Sequence, residues 1–221
     1  MTAYSALQTY VSRDLSDPSN LTFDTDAVKD FIQKAIAEVG RVSPQQFQED
    51  ITPVDGQLTY LLRSDDFNAV AVPEIRLVRV EVWDDTPAFR FSVKAKAGQP
   101  SRYSNSGWEV WNGTLEIPSW VETNISATDT IRVWGYSPYP PISDDADVVP
   151  VSADLELAIR DYCRVQALRK LTSSRVLFKQ WQARSNNTDV TLAMLNSDLQ
   201  QAEQDWRRMS RELRVPEQNP D

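Results

Sequence analysis

Residues 130–171 read TIRVWGYSPYPPISDDADVVPVSADLELAIRDYCRVQALRKL and pass through three regimes. Ile131, Val133 and Gly135 alternate with Arg132, Trp134 and Tyr136, the period of a half-buried strand. Ser137-Pro138-Tyr139-Pro140-Pro141, Asp144-Asp145-Ala146-Asp147 and Pro150 then break any regular element. Ser152 caps a helix with Leu155, Ile159, Tyr162 and Gln166 on one stripe and Ala158, Val165 and Leu168 beside it. A sheet ends here and a helical part begins, so the fold turns on what lies on either side.

Upstream, the chain stays in the strand period back to about residue 57. Leu58, Tyr60 and Leu62 alternate, and Phe89, Phe91, Val93 and Ala95 alternate with Arg90, Ser92 and Lys94. Ile75 to Trp83 is rich in β-formers, with a slip at Leu77-Val78 that reads as a bulge. Trp108 to Ile117 reads as a hairpin around Asn112-Gly113. Before residue 57 the helical period returns. Leu7, Val11 and Leu15 mark a short helix ended by Asp17-Pro18. Phe23 and the cap residues Asp24, Thr25 and Asp26 then open a second helix with Val28, Phe31, Ile32, Ala35, Ile36 and Val39 inward and Gly40 at its end.

Downstream, Arg175 to Arg184 continues or restarts the helix after 152. Asn186-Asn187-Thr188-Asp189 is a loop with a cap. Leu192, Leu195, Leu199, Ala202, Trp206, Met209 and Leu213 then space as a heptad seam, which fits either packing on its own domain or an intermolecular coil. Pro216 stops it.

The expected fold class is therefore α+β: N-terminal and C-terminal helices packed as a bundle, with an inserted antiparallel β-sandwich or small barrel. The expected divisions are 1–56 for the first helices, 57–136 for the β domain, 137–151 for a Pro/Asp-rich linker, 152–214 for the last helices and 215–221 for a flexible tail.

The 221 residues include no histidine and one cysteine, Cys163. A Ser-His-Asp triad, a Cys-His pair, a His general base and the usual zinc sites are excluded, as is an internal disulfide. Six glycines, none in GxGxxG or GxxxxGK spacing, leave no nucleotide fingerprint. No cofactor and no catalysis are expected. No apolar run approaches the length of a membrane span, so no membrane partner is expected either.

The formal net charge is −9, unevenly placed. Residues 1–150 hold 12 Lys+Arg against 22 Asp+Glu, and residues 151–221 hold 11 against 10. The acidic part repels phosphates. Arg160, Arg164, Arg169, Lys170, Arg175, Lys179 and Arg184 form a basic stretch opposed only by Asp161, either a solvated helix face or a contact for an acidic partner surface.

Three constellations bear on chemistry. Asp144, Asp145 and Asp147 carry hard-cation ligands but lack the EF-hand Gly and Glu, and read as a turn. Asp84-Asp85, and Glu109 with Glu116, are paired carboxylates of the kind glycoside hydrolysis uses, but both pairs lie in or beside hairpins. Trp83, Trp108, Trp111, Trp120, Trp134, Tyr136 and Tyr139 crowd the β part. Trp108 and Trp111 cannot share a face of one straight strand, so at least one is expected at the surface, where aromatics favour protein contacts. Cys163, mid-helix, reads as a buried small apolar residue.

Two stretches together carry a resemblance. One is ALQTYVSRDLSDPSNLTFDTDAVKDFIQKAIAEVGRVSP, residues 6–44, and the other is residues 130–171 quoted above. Short helix, Asp-Pro loop, aromatic plus cap, second helix, then strand, Pro pair, Asp-rich turn and long helix resemble the head–tail connector (adaptor) proteins of tailed bacteriophages. The resemblance covers about the first 45 residues and residues 130–175. It departs where Phe23 replaces the Trp common in the first module, and where the central β part is larger than in small all-helical connectors.

The resemblance implies a structural protein of the virion neck, made in the host cytoplasm. It would dock on the phage portal protein, form a twelvefold ring with itself and pass DNA through its channel without specific binding. It would hand on to a downstream tail or nozzle protein. By the same analogy Leu213, Arg214, Val215, Pro216 and Glu217 would dock into the portal. Trp108, Trp111 and Trp120 would meet the next tail component. Two alternatives remain: another neck or tail-completion protein, and an aromatic β-sandwich module binding carbohydrate or protein.

Overall fold

A computed structural model describes residues 2–17, 19–63, 66, 74–86, 88–96, 107–142, 144–149, 151–184 and 189–213. The chain divides into two compact units, Met1–Ser43 with Pro141–Pro216, and Pro44–Pro140.

The first unit is a helical bundle. It contains α1 (Tyr4–Asp14), α2 (Thr25–Val42), α4 (Ala153–Ser173), α5 (Arg175–Arg184) and α6 (Leu192–Glu212). Asp24 caps α2 by accepting from the Ala27 N–H at 2.8 Å. The expected apolar stripe Val28, Phe31, Ile32, Ala35, Ile36 and Val39 is buried. Gly40 does not end the helix. It lies inside α2, which continues two residues to Val42. Ser152 caps α4, accepting from the Leu155 N–H at 3.5 Å. Leu155, Ala158, Ile159, Cys163, Val165, Ala167, Leu168 and Leu171 are all buried. That spread exceeds one stripe because α4 packs on α1, α2, α5 and α6 together. Thr191 caps α6, and the seam turns inward on α4, with Leu195 and Trp206 buried and Tyr162 edge-on to Trp206 at 4.8 Å. Leu192 stays 41% exposed.

Asp17, only 6% exposed, shapes the loop between α1 and α2. Its carboxylate accepts from the backbone N–H groups of Leu21 at 3.0 Å, Thr22 at 2.8 Å and Phe23 at 2.8 Å. This fixes Phe23, which is buried and meets Phe31 edge-on at 5.4 Å.

The expected 137–151 linker begins on Ser137, the last residue of β7, and its other described residues form no helix or strand, but it is packed: Tyr139, Ile142, Val149 and Val151 are buried. Its Asp-rich turn serves as the N-terminal cap of α1, whose own cap residue Ala3 has no side chain to do so. The Tyr4 and Ser5 N–H groups donate to the carbonyls of Asp147 at 2.9 Å and Asp145 at 3.2 Å.

The second unit is a two-sheet sandwich. Its strands are β1 (Gln45–Ile51), β2 (Thr59–Leu61), β3 (Arg76–Trp83), β4 (Phe89–Val93), β5 (Glu109–Trp111), β6 (Thr114–Glu116) and β7 (Thr130–Ser137), with the short helix α3 (Ser119–Glu122). One antiparallel sheet has the order β1-β7-β3-β4 and the other β2-β6-β5. Val80, Val82, Val93, Ile131 and Val133 from the first meet Tyr60, Leu62, Leu115 and Ile117 from the second in one core. The β1 strand departs from the expected division: residues 45–51 belong not with the N-terminal helices but to the sandwich, where they pair antiparallel with β7.

Other expectations hold. The register slips between Leu77 and Arg79, leaving Val78 51% exposed. Asn112 and Gly113 turn the β5–β6 hairpin with φ of 49° and 73°. Two glycines allow close backbone approach. A Cβ on Gly135 would lie 2.4 Å from the Arg76 carbonyl, and one on Gly107 would lie 2.4 Å from the Lys94 carbonyl.

Candidate docking surfaces

The outer face of the four-stranded sheet is built by strand parity. Register puts Gln48, Trp134 and Arg79 in one row, and Asp50, Arg132 and Glu81 in the next. The Arg79 guanidinium lies 4.0 Å from the Trp134 ring centre, and Arg132 lies 4.7 Å from that of Trp83. Glu81, 6% exposed, accepts from the Trp83 indole N–H at 2.9 Å and pairs with Arg79 at 3.2 Å. Arg132 grips Asp50 with two hydrogen bonds of 2.6 and 2.7 Å, which hold the Asp50 carboxyl below its ordinary pKa. Phe89, 52% exposed, stands edge-on to Trp83 at 5.9 Å. The result is an array in which each arginine is already held by an aromatic ring and a carboxylate.

The outer face of the three-stranded sheet is different. Glu109 and Glu116 are direct cross-strand partners, as are Trp111 and Thr114. Lys96, its side chain 7% exposed, reaches Glu109 at 3.1 Å. Like charges opposite one another are unfavourable, and Lys96 offsets this only at Glu109. Trp111, on the same face, is 75% exposed.

The three tryptophans expected to meet a tail component are not brought together as one patch. Trp108 is turned inward: its indole donates to the Val93 carbonyl at 2.9 Å, and its ring packs on the sandwich core. Its backbone also bridges Lys94 and Lys96. Trp120, 40% exposed, lies 5.8 Å from Phe91. Trp111 is the most open. Of the expected portal-docking residues, Leu213 is half-buried and its N–H donates to the Met209 carbonyl at 3.0 Å, closing α6. Arg214, Val215, Pro216 and Glu217 lie outside the described residues.

The remaining constellations are structural. Asp144 and Asp147 accept from backbone N–H groups within their own turn, and Asp145 pairs with Lys29 at 2.8 Å. Among the described residues no group of three or more Asp, Glu, Cys or His is arranged to hold a metal ion. Asp84 accepts from Thr86 and Ala88 in the β3–β4 turn, and these bonds keep its carboxyl low. Cys163 is fully buried, and burial pushes its thiol pKa up.

The basic stretch is divided. Arg160 binds Asp14 at 2.7 and 2.9 Å, Arg169 binds Glu203 at 2.8 and 2.9 Å, and Lys170 lies over Phe31 at 5.3 Å. Beside Arg160, burial pushes the Asp161 carboxyl up against the pull of Arg164 and Arg160. Among the described residues no helix is long and apolar enough to cross a membrane.

Among the described residues, sequence reasoning missed four buried charges: Asp17, Arg63, Glu81 and Asp129. Arg63 has φ of 52° and lies over Phe47 at 5.2 Å, with Gln45, Ser137 and Asp66 accepting from its guanidinium. Asp129 holds Arg90 at 2.5 Å and the Ser126 N–H at 2.7 Å. None of them stands out locally: Glu81 shares the parity of Arg79 in β3 and reads as a polar outward position.

No protein-family model matches the chain, and no curated protein matches it.

Proposed function

We propose that this chain is a structural neck protein of a tailed bacteriophage. In this reading it is a connector that docks beneath the portal, assembles there as a twelvefold ring and continues the DNA channel toward a tail or nozzle protein. One observation carries the reading. The two stretches that resemble connectors are far apart in sequence, yet residues 6–43 of the first and 141–171 of the second share one helical unit. The Asp-rich turn caps α1, Asp145 pairs with Lys29, and the Gln33 amide donates to the Ile142 carbonyl 109 residues away. The sandwich inserted between them offers two differently built outer faces, which suits a subunit that must bind neighbours on several sides.

The parts then have assigned roles. Leu213 to Glu217 enter the portal, and Trp111 and Trp120 meet the next tail component. The excess of acid in residues 1–150 gives the channel a wall from which DNA phosphates are repelled. Sugar binding by the Trp83 and Trp134 rings is disfavoured, because guanidinium groups already stack on them at 4.7 and 4.0 Å.

The test is negative-stain imaging of the protein mixed with the portal encoded in the same genome. A second ring stacked coaxially on the portal is expected, and deletion of residues 214–221 should weaken it. A bare portal would overturn the connector reading in favour of a lower neck component or a binding module.

A further inference from the structure

Helix α5 has an unused face. Phe178 and Trp181, their rings stacked at 6.3 Å, anchor its inner side. Arg175, Val176, Lys179, Gln180, Ala183 and Arg184 are exposed and recur at the spacing of one helical stripe. The stripe spans roughly 14 Å at 1.5 Å per residue. It has three cations and no acid, and among the described residues none of the three is in an ion pair. Val176 stands 68% exposed among them. A phosphate backbone offers an aliphatic side chain nothing to pack on, so the stripe favours an acidic protein surface with an apolar centre.

The chain carries such a surface itself. The outer face of β2-β6-β5 presents the Glu109/Glu116 cross-strand pair beside the open Trp111 ring. Three strands at about 4.8 Å spacing make it roughly 10 Å across, comparable with the stripe. Glu116 has no ion pair among the described residues, so a cation arriving there would relieve its repulsion from Glu109.

We propose that the α5 stripe of one copy docks on the Trp111–Glu109–Glu116 face of a second copy. Lys179 meets Glu116, since Glu109 is already paired with Lys96, and Val176 with an arginine face covers the indole. The two patches differ, so the contact is heterologous and repeats from copy to copy. Closure into a ring rests on the connector reading; the pairwise contact does not.

The test mixes two single variants, Lys179→Cys and Glu116→Cys, with a short bismaleimide, free and on portal rings. Both positions are exposed, and the native Cys163 is fully buried and silent. Covalent dimers are expected in the mixture and not in either variant alone, and a chain carrying both changes should give a ladder. At high salt the yield should fall about tenfold, as for an association led by charge. Lys179→Glu should abolish assembly, and adding Glu116→Lys to the same chain should restore it. Dimers formed by one variant alone, crosslinking confined within single chains, or failure of the double reversal to rescue would each overturn the contact. A stacked ring without the crosslink overturns this inference and leaves the connector reading standing. A bare portal with the crosslink in solution does the reverse.

Discussion

Replacing Asp17 by alanine tests the packing of the helical unit at one atom group. The carboxylate accepts from three backbone N–H groups at 2.8–3.0 Å and is 6% exposed. A hydrogen bond to a charged group contributes about 1.5–3 kcal/mol, and a buried donor left without a partner costs about 1–3 kcal/mol. The three bonds share two oxygens and are not additive, so the loss is set at about 3–5 kcal/mol. For a unit of about 120 residues each kcal/mol lowers the midpoint by about 3–6 °C, giving a fall of roughly 9–30 °C. Asp17→Asn keeps one acceptor oxygen and should fall between wild type and alanine. Far-ultraviolet circular dichroism follows the helices during urea unfolding, and tryptophan emission, dominated by Trp83, Trp108, Trp111, Trp120 and Trp134, follows the sandwich. The helical transition should move and the sandwich transition should not. A loss below about 1 kcal/mol would refute the claim that this carboxylate fixes Phe23 and the start of α2.

Trp108→Ala should destabilise the sandwich by about 3 kcal/mol, while Trp111→Ala should leave the unfolding midpoint unchanged and weaken assembly; denaturation and crosslinking separate the two. Gly135→Ala forces a Cβ to 2.4 Å from the Arg76 carbonyl and should cost about 2 kcal/mol or more, read from the urea midpoint. Asp50, held by Arg132, is more acidic when folded. It therefore binds fewer protons in the folded state, and its contribution is present above its ordinary value of 3.8 and lost as pH falls through the lowered one. Asp50→Asn should flatten that part of the acid-unfolding curve. Asp161 is the opposite case: burial raises its pKa, so its charge opposes folding at neutral pH, and Asp161→Asn should raise the urea midpoint there.

What the sequence shows depends on how local the determinant is. The α2 helix is legible because its cap, its aromatic and its stripe lie within twenty residues of one another. The hairpin is legible because Asn112-Gly113 alone specifies φ > 0 twice. The β1 strand is not, because Gln45–Ile51 has only Phe47 and Ile51 as apolar residues, and Glu49 holds the position between them. Glu49 is at home there because it accepts from the Arg63 N–H at 2.8 Å, a partner 14 residues on. Arg63 in turn donates to Ser137, 74 residues on. Parity excluded a common face for Trp108 and Trp111, but which one turned inward depended on the Val93 carbonyl at the end of β4, in the other sheet. The outer array of Arg79, Arg132, Trp83 and Trp134 was half legible. Its residues alternate correctly, but their pairing needed the register of three strands.

That array bears on how the sandwich could bind anything. An exposed arginine normally loses rotamer freedom when a partner arrives, at about 0.5–1.5 kcal/mol for each immobilised side chain. Here Arg79 is already held between Trp134 and Glu81, and Arg132 between Trp83 and Asp50. The ordering cost is met in folding, so a partner meets a finished surface. The α5 stripe is built the other way: its three cations are exposed and in no ion pair among the described residues. Contacts of the first kind favour persistence, because little is lost on binding. Contacts of the second kind favour salt-dependent, steered encounter. A subunit that must be recruited by its neighbours and then held in place would need both, one on each unit.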